Sequence, residues 1–152
     1  MTLAAVLSAC ATDGAPPPIE RTHDACSALA LVATEPSTAQ YKGMDGAQAL
    51  WRDRGAPALG LRADATLEVR FQDASGPFFG LYDDHESVIY INNSITNERA
   101  LSIVIAHELG HAFGLQHVDR SDRISVMNPG NLETPPTAED QRAIEALWGT
   151  CE

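Results

Sequence analysis

The residues best suited to chemistry lie in one short stretch, HELGHAFGLQH, at residues 107–117. His107 and His111 are four positions apart, so on a helix their side chains project to the same side and can reach one cation. Gly114 lets the backbone leave the helix, after which His117 can supply a third imidazole. Three imidazoles around one ion leave a corner for water, which is typical of a catalytic zinc site.

Glu108 follows the first histidine and is expected to face the same cleft. Zinc lowers the pKa of a bound water to about 7, and a nearby carboxylate can accept the proton that the water loses. The predicted mechanism is attack of zinc-bound water on a peptide carbonyl, assisted by Glu108, with delivery of the proton to the leaving amine. A bare HExxH arises by chance on solvated helices, but the extended HExxHxxGxxH pattern is much rarer, which favours catalysis.

This stretch resembles the zinc motif of the metzincin clan of metalloproteases, and within it the matrixin-like branch. The sequence SVMNP at residues 125–129 is similar to the Met-turn of that clan. The similarity implies that Met127 forms an apolar floor beneath the histidines without binding zinc; an ordinary core methionine would look much the same. The segment at residues 136–149 resembles the C-terminal helix of matrixins.

The resemblance implies an α/β (α+β) fold of the metzincin-like zincin type. A twisted mixed sheet would pack on the active-site helix, above a lower lobe that contains the Met-turn and the C-terminal helix. An edge strand of the sheet would hold an extended peptide by main-chain pairing. The residues assigned to substrate binding on this basis are Phe79, Gly80, Leu81 and Tyr82 on the strand, with Pro129 and Asn131 in the lower lobe.

An acidic run between two extended segments raises the question of a second metal. Asp83, Asp84 and Glu86 carry oxygens that suit Ca²⁺, but a solvated acidic turn explains the same residues and is the interpretation favoured here. We therefore predict one catalytic Zn²⁺ and keep Ca²⁺ as the less favoured alternative.

Hydrophobic periodicity predicts the elements that position these residues. Strands are predicted for the segments TLEVRFQD, PFFGLYDD and ESVIYINN. The segment ALGLR fits a short strand, and the segment SALALVATE fits either a strand or a helix. Three helices are predicted, over residues 44–54, from a cap at Thr96 to Gly114, and over residues 138–148 between Thr137 and Gly149.

Length and composition indicate one compact domain, since the chain has 152 residues, of which 44% are hydrophobic and 20% charged. The formal net charge is -11, with only 10 Lys and Arg. This balance disfavours nucleic acid or an anionic membrane surface as a partner. We expect protein or peptide substrates, no nucleic-acid partner, and a monomer.

Residues 1–25 are predicted to be a signal and lipobox-like segment with a flexible linker, and residues 26–152 the catalytic domain. Cys10 ends a Leu-Ser-Ala-Cys sequence similar to a bacterial lipobox, which predicts a lipid anchor to a bacterial membrane, although no Lys or Arg precedes it. Cys26 and Cys151 bracket the domain and are predicted to form a disulfide, with two free cytosolic thiols as the alternative. The predicted location is extracytoplasmic, in the bacterial envelope as a lipoprotein or secreted.

Two other functions compete with proteolysis. One is a zinc-binding peptide-recognition module without activity, which Glu108 argues against because such a module needs no base. The other is a zinc amidase acting on cell-wall peptides. The preferred interpretation is a zinc-dependent endopeptidase that acts on extracytoplasmic protein substrates.

Overall fold

The computed structural model describes residues 14–61 and 65–152. Cys10, the predicted lipidation site, lies outside the described residues. Within the described ranges no helix is long and apolar enough to cross a membrane. The elements are β1 (Leu29–Val32), α1 (Thr38–Arg52), β2 (Ala65–Gln72), β3 (Gly80–Asp83), β4 (Val88–Asn92), α2 (Glu98–Ala112) and α3 (Ala138–Trp148).

The four strands form one open, mixed sheet in the order β1-β2-β4-β3. β1 runs parallel to β2 and β2 parallel to β4, whereas β3 runs antiparallel to β4. The alternation in TLEVRFQD is confirmed, because Leu67 and Val69 are buried in the core while Arg70 faces solvent. The predicted α/β fold is therefore confirmed, and β3 is an edge strand of the described sheet.

The short segment ALGLR was predicted as a strand, and that prediction is wrong. Residues 58–61 form turns instead, with Gly60 at a φ of 75°. The Gly60 N–H donates to Leu29 O at 2.7 Å, and Arg52 Nη1 donates to Leu59 O at 2.8 Å. These contacts tie the turn to the end of β1 and to α1, and a left-handed glycine does not continue an extended strand.

Helix α1 begins earlier than the hydrophobic pattern predicts, because Ser37 and Gln40 form a capping box. The helix packs closely on α2 at Gly43, where an added Cβ would lie 2.7 Å from Leu101 Cβ. Near the other end of α1, the fully buried Trp51 donates from Nε1 to Ala106 O at 2.8 Å. This hydrogen bond lies within an otherwise apolar contact and fixes the position of α2 against α1.

Helix α2 begins one residue later than predicted, because Asn97 rather than Thr96 is its N-cap. The Asn97 side chain accepts a hydrogen bond from the Ala100 N–H at 3.0 Å. At the other end, Gly114 has a φ of 101°, so the chain leaves the helix through the left-handed conformation predicted for that glycine.

The lower lobe is held together by one buried carboxylate, Asp140, in the first turn of α3. Its oxygens accept hydrogen bonds from Ser125 Oγ at 2.5 Å, Arg123 Nη1 at 2.7 Å and Val126 N at 3.0 Å. The Thr137 N–H donates to the same carboxylate at 2.9 Å. Burial alone would raise the pKa of Asp140, but these hydrogen bonds outweigh it and hold the pKa below its ordinary value.

The two ends of the domain are joined by a disulfide between Cys26 and Cys151, 125 residues apart. The pairing predicted from their positions is therefore present. A linker was predicted up to residue 25, yet residues before Cys26 also contact the domain: the His23 N–H donates to Ala112 O at 2.7 Å.

Removing this disulfide should destabilise the domain strongly. In the chain-entropy model a loop of this length contributes about 4 to 5 kcal/mol, because the cross-link restricts the unfolded chain. We expect Cys26→Ser with Cys151→Ser to lower the free energy of unfolding by about that amount in urea titrations. The reduced wild-type protein should match the variant, and a wild type indifferent to reductant would contradict the assignment.

Replacing the buried carboxylate should also destabilise the domain. Asp140→Asn places an amide NH₂ among hydrogen-bond donors, so the free energy of unfolding should fall by about 2 to 4 kcal/mol at neutral pH. Because the folded-state pKa is lowered, the stabilisation is full above the ordinary aspartate range and is lost as the pH falls through the folded value. Unfolding curves of wild type and variant should therefore converge in acid.

The matched control is Glu139→Gln on the same helix. Within residues 14–61 and 65–152, Glu139 is paired only with Arg142, and the two side chains are 55% and 65% exposed. The change should therefore cost about 0.5 kcal/mol or less. Equal losses in the two variants would mean that Asp140 has no special role.

Candidate metal centre

The three histidines of the motif converge at the end of α2. His117 Nε2 lies 3.1 Å from His107 Nε2 and 3.2 Å from His111 Nε2. Their potential ligand atoms all lie within 4.8 Å of one another, and among the described residues no other group of metal-binding side chains is gathered in this way. The four-residue spacing on α2 brings the rings of His107 and His111 together, and the turn at Gly114 directs the chain back so that His117 joins them.

Backbone carbonyls set which nitrogen of each helical ring can bind a metal. His107 Nδ1 lies 2.7 Å from Val126 O, and His111 Nδ1 lies 2.7 Å from Leu115 O. A carbonyl can only accept, so both Nδ1 atoms carry the proton and both Nε2 lone pairs point to the shared centre. Converging imidazole acceptors fit the donor set that zinc prefers.

His107 is buried and His111 partly buried while His117 is more exposed, yet all three rings favour the neutral form that binds a metal. Desolvation lowers the pKa of His107 and His117, and lowers that of His111 to about 4, with the neighbouring imidazoles adding to the effect. Neutral imidazoles are the species that bind metals. The site is therefore ready for a cation at neutral pH.

Glu108 lies beside this centre and is almost completely buried, with 5% of its surface exposed. Its Oε2 accepts a hydrogen bond from the Tyr82 N–H at 2.8 Å, so the side chain bridges α2 and the edge strand β3. Burial raises the pKa of Glu108 to about 8, and the Tyr82 N–H opposes this only in part. Without a cation this carboxyl group is mostly protonated at neutral pH, and a cation held by the neighbouring histidines would lower its pKa and favour the carboxylate that accepts a proton.

Met127 lies beneath the histidine-bearing helix and is fully buried. Gly110 leaves space for it, because a Cβ at that position would overlap the Met127 sulfur. The Met127 N–H donates to Ser125 Oγ at 2.9 Å, and Ser125 Oγ in turn donates to Asp140. Met127 therefore packs against α2 at Gly110 and is held by Ser125 of the lower lobe, and its role as the floor of the site stays a prediction.

All six residues assigned to substrate binding lie along one cleft of about 380 Å³ that also contains the three histidines and Glu108. β3 supplies one rim and the lower lobe the other. Asn131 reaches the cleft, but its Nδ2 donates to Val126 O and Thr134 O, so its amide shapes the loop. The six residues are Phe79, Gly80, Leu81, Tyr82, Pro129 and Asn131.

The acidic turn after β3 does not gather ligand atoms for calcium in the described structure. Asp83 Oδ1 accepts from the backbone N–H groups of His85 and Glu86, both at 2.9 Å. Asp84 Oδ2 accepts from the Glu20 N–H at 2.5 Å. The carboxylates of Asp83 and Asp84 therefore serve the turn and the N-terminal segment.

Sequence analysis missed several residues that line the cleft. Val104 shows only as part of the apolar face of α2, and Ile19 lies in a stretch whose composition indicates a linker. Asp84 was considered only as an oxygen ligand. The missed lining residues are Ile19, Pro77, Phe78, Asp84, Val104 and Gly130.

Comparison with curated proteins finds relatives over part of the chain. Matrix metalloproteinase-21 of Homo sapiens is 36% identical over 63 residues, which is 38% of this chain and 11% of the relative. Matrix metalloproteinase-21 of Xenopus laevis is 38% identical over 63 residues, which is 38% of this chain and 10% of the relative. The matched segment spans about a tenth of the length of these relatives.

Comparison with solved structures shows a similar fold over most of the chain. A crystal structure of myroilysin superposes with a TM-score of 0.57 at 12% identity, covering 85% of this chain and 86% of that one. A second myroilysin structure gives 0.54 at 12% identity, covering 86% and 97%. At this identity the likeness shows a shared fold.

The family comparison covers the metal centre itself. The family model described as Matrixin, Peptidase_M10, matches residues 58–149, which is more than half of the 152-residue chain. This range contains the three histidines, Glu108, Met127 and α3. The metzincin-like fold predicted from the motif is confirmed, and the chain belongs to the matrixin family.

Proposed function

We propose that this chain is a zinc-dependent endopeptidase that hydrolyses peptide bonds in extracytoplasmic protein substrates. The observation that carries the proposal is the convergence of three imidazole Nε2 atoms next to a buried carboxyl group, in a cleft bordered by an open strand edge. Zinc, when held by His107, His111 and His117, supplies the Lewis acid that polarises the carbonyl and lowers the pKa of water.

Glu108 carries the proton in this reaction. Its carboxylate takes a proton from the attacking water as the water oxygen bonds to the carbonyl carbon. It then gives that proton to the amide nitrogen as the C–N bond breaks, which leaves a carboxyl group and an amine. Glu108 is almost fully buried, which limits the contact of its carboxyl group with bulk water.

The edge strand holds the substrate by main-chain pairing. Asn92 N–H donates to Phe79 O at 2.9 Å, and pairing alternates along an antiparallel ladder. Gly80 and Tyr82 therefore direct their backbone groups away from β4, toward the outer side, where the Tyr82 N–H binds Glu108 and the Gly80 groups and the Tyr82 carbonyl face a substrate. An extended peptide can add there as a further strand, which orients a peptide bond without regard to its side chains.

Gly80 also sets the position of Glu108. A Cβ added to Gly80 would lie 2.9 Å from Glu108 Oε1 and 3.0 Å from Val104 Cγ1. A side chain at position 80 would therefore press on the Glu108 carboxyl group that the Tyr82 N–H holds. Gly80 is thus a positioning residue for the base.

The Cys26–Cys151 disulfide supports an extracytoplasmic location, since such bonds persist in oxidising compartments. Protein or peptide substrates and a monomeric state belong to the same proposal. Lipid attachment at Cys10 stays a prediction, which mass spectrometry of the membrane fraction would test.

Glu108→Gln should separate metal binding from catalysis. We expect zinc content to stay near one per chain, because the three imidazoles are intact, and peptide cleavage to fall about 10³-fold, because the proton carrier is lost. His117→Ala should lose both zinc and activity. The measurements are elemental analysis and kcat/KM on a casein-derived peptide.

Two controls make this test decisive. Chelation should abolish wild-type cleavage, and added zinc should restore it. Full activity in Glu108→Gln would refute the mechanism, while zinc-loaded wild type that cleaves cell-wall peptides but no protein would favour an amidase.

Gly80→Ala should impair catalysis without loss of zinc. The new methyl group displaces the Glu108 carboxyl, and a shift of about 1 Å in a catalytic group can cost about 10²-fold. We expect kcat/KM to fall about 10- to 100-fold with zinc content unchanged. Gly14→Ala, where an added Cβ meets nothing within 4 Å, is the matched control. Equal activities in the two variants would show that Gly80 does not position the base.

A further inference from the structure

The segment at residues 17–21 runs from one rim of the cleft to the other, and we call it the strap. On the side of the third histidine, Gln116 Nε2 donates to Pro17 O at 3.2 Å. On the side of the edge strand, the Glu20 N–H donates to Asp84 Oδ2 at 2.5 Å. Three residues of extended chain reach about 10 Å, so the strap spans the cleft beyond the C-terminal end of β3.

Further contacts fix the strap in place. Tyr82 OH donates to Arg21 O at 2.8 Å, and the His23 N–H donates to Ala112 O at 2.7 Å. The ion pair between Glu20 and His85 is exposed and contributes little. The strap continues into Cys26, which is tied to Cys151. Backbone contacts therefore hold it at both rims.

The strap places one apolar side chain in the cleft. Residues 14–18 and 20–22 are exposed, whereas Ile19 is partly buried and packs against the hydrophobic core. Ile19 lines the same cleft as His111, His117 and Tyr82. An isoleucine held between two anchored neighbours has a fixed position, as the wall of a binding pocket requires.

We propose that Ile19 is a specificity-determining residue. It forms the apolar wall for the substrate side chain that lies toward the C-terminal end of β3. A peptide that pairs with the Gly80 backbone and the Tyr82 carbonyl meets the strap directly past Tyr82, and its side chain there packs on Ile19. Large apolar residues are favoured at this position, and charged residues are disfavoured because contact with Ile19 desolvates them. This inference rests on the proposed endopeptidase function.

The test is a peptide library in which one substrate position is varied at a time, cleaved by the full-length zinc-loaded protein. For Ile19→Ala we expect kcat/KM to fall about 10-fold for peptides with a large apolar residue at one position on one side of the cleaved bond. Preferences at other positions and zinc content should be unchanged. Ile19→Val should show a smaller loss at the same position.

Leu61→Ala is the matched control, because Leu61 is 55% exposed and does not line the cleft. Its cleavage profile should equal that of the wild type. If Ile19→Ala keeps the wild-type profile, or loses activity equally at every position, the inference is overturned while the proposed function stands. If zinc-loaded wild type cleaves no peptide at all, the proposed function fails and this inference fails with it.

Discussion

The metal centre depends on two hydrogen bonds that lie outside it, from His107 Nδ1 to Val126 O and from His111 Nδ1 to Leu115 O. They fix the tautomer and orientation of each ring, so that both Nε2 lone pairs face a single point. Both carbonyls belong to the chain that follows α2. The helix supplies the imidazoles, but the loops after it decide what the imidazoles can bind.

That dependence explains the construction of the lower lobe. Val126 O can accept from His107 only while residues 125–127 hold their shape. The buried carboxylate of Asp140 holds that shape by binding Ser125 Oγ and Val126 N. A residue of α3 therefore stabilises the position of His107, and we expect a change at Asp140 to affect both the stability of the fold and the geometry of the histidine cluster.

Local pattern was enough to predict the grouping of the three histidines, the three helices and most of the sheet. Four-residue spacing on a helix determines where His107 and His111 point, and Gly114 marks the end of α2, whatever the rest of the chain does. The remaining features depend on contacts between distant residues. The role of Asp140 requires α3 to dock on a loop, the turn around Gly60 requires β1 beside it, and the place of Ile19 requires the chain before Cys26 to cross the cleft. Such contacts between distant residues cannot be predicted from composition or local pattern.

The open edge of β3 has a second consequence. A strand with unpaired backbone groups can pair with the same strand of another molecule, which is a common route to self-association. β3 is only four residues long, and one of its outward N–H groups, that of Tyr82, is already bonded to Glu108. Glu108, the side chain that would activate water, thus also limits the part of β3 with which a second copy could pair. An open edge is therefore compatible with a protein that does not self-associate at high concentration.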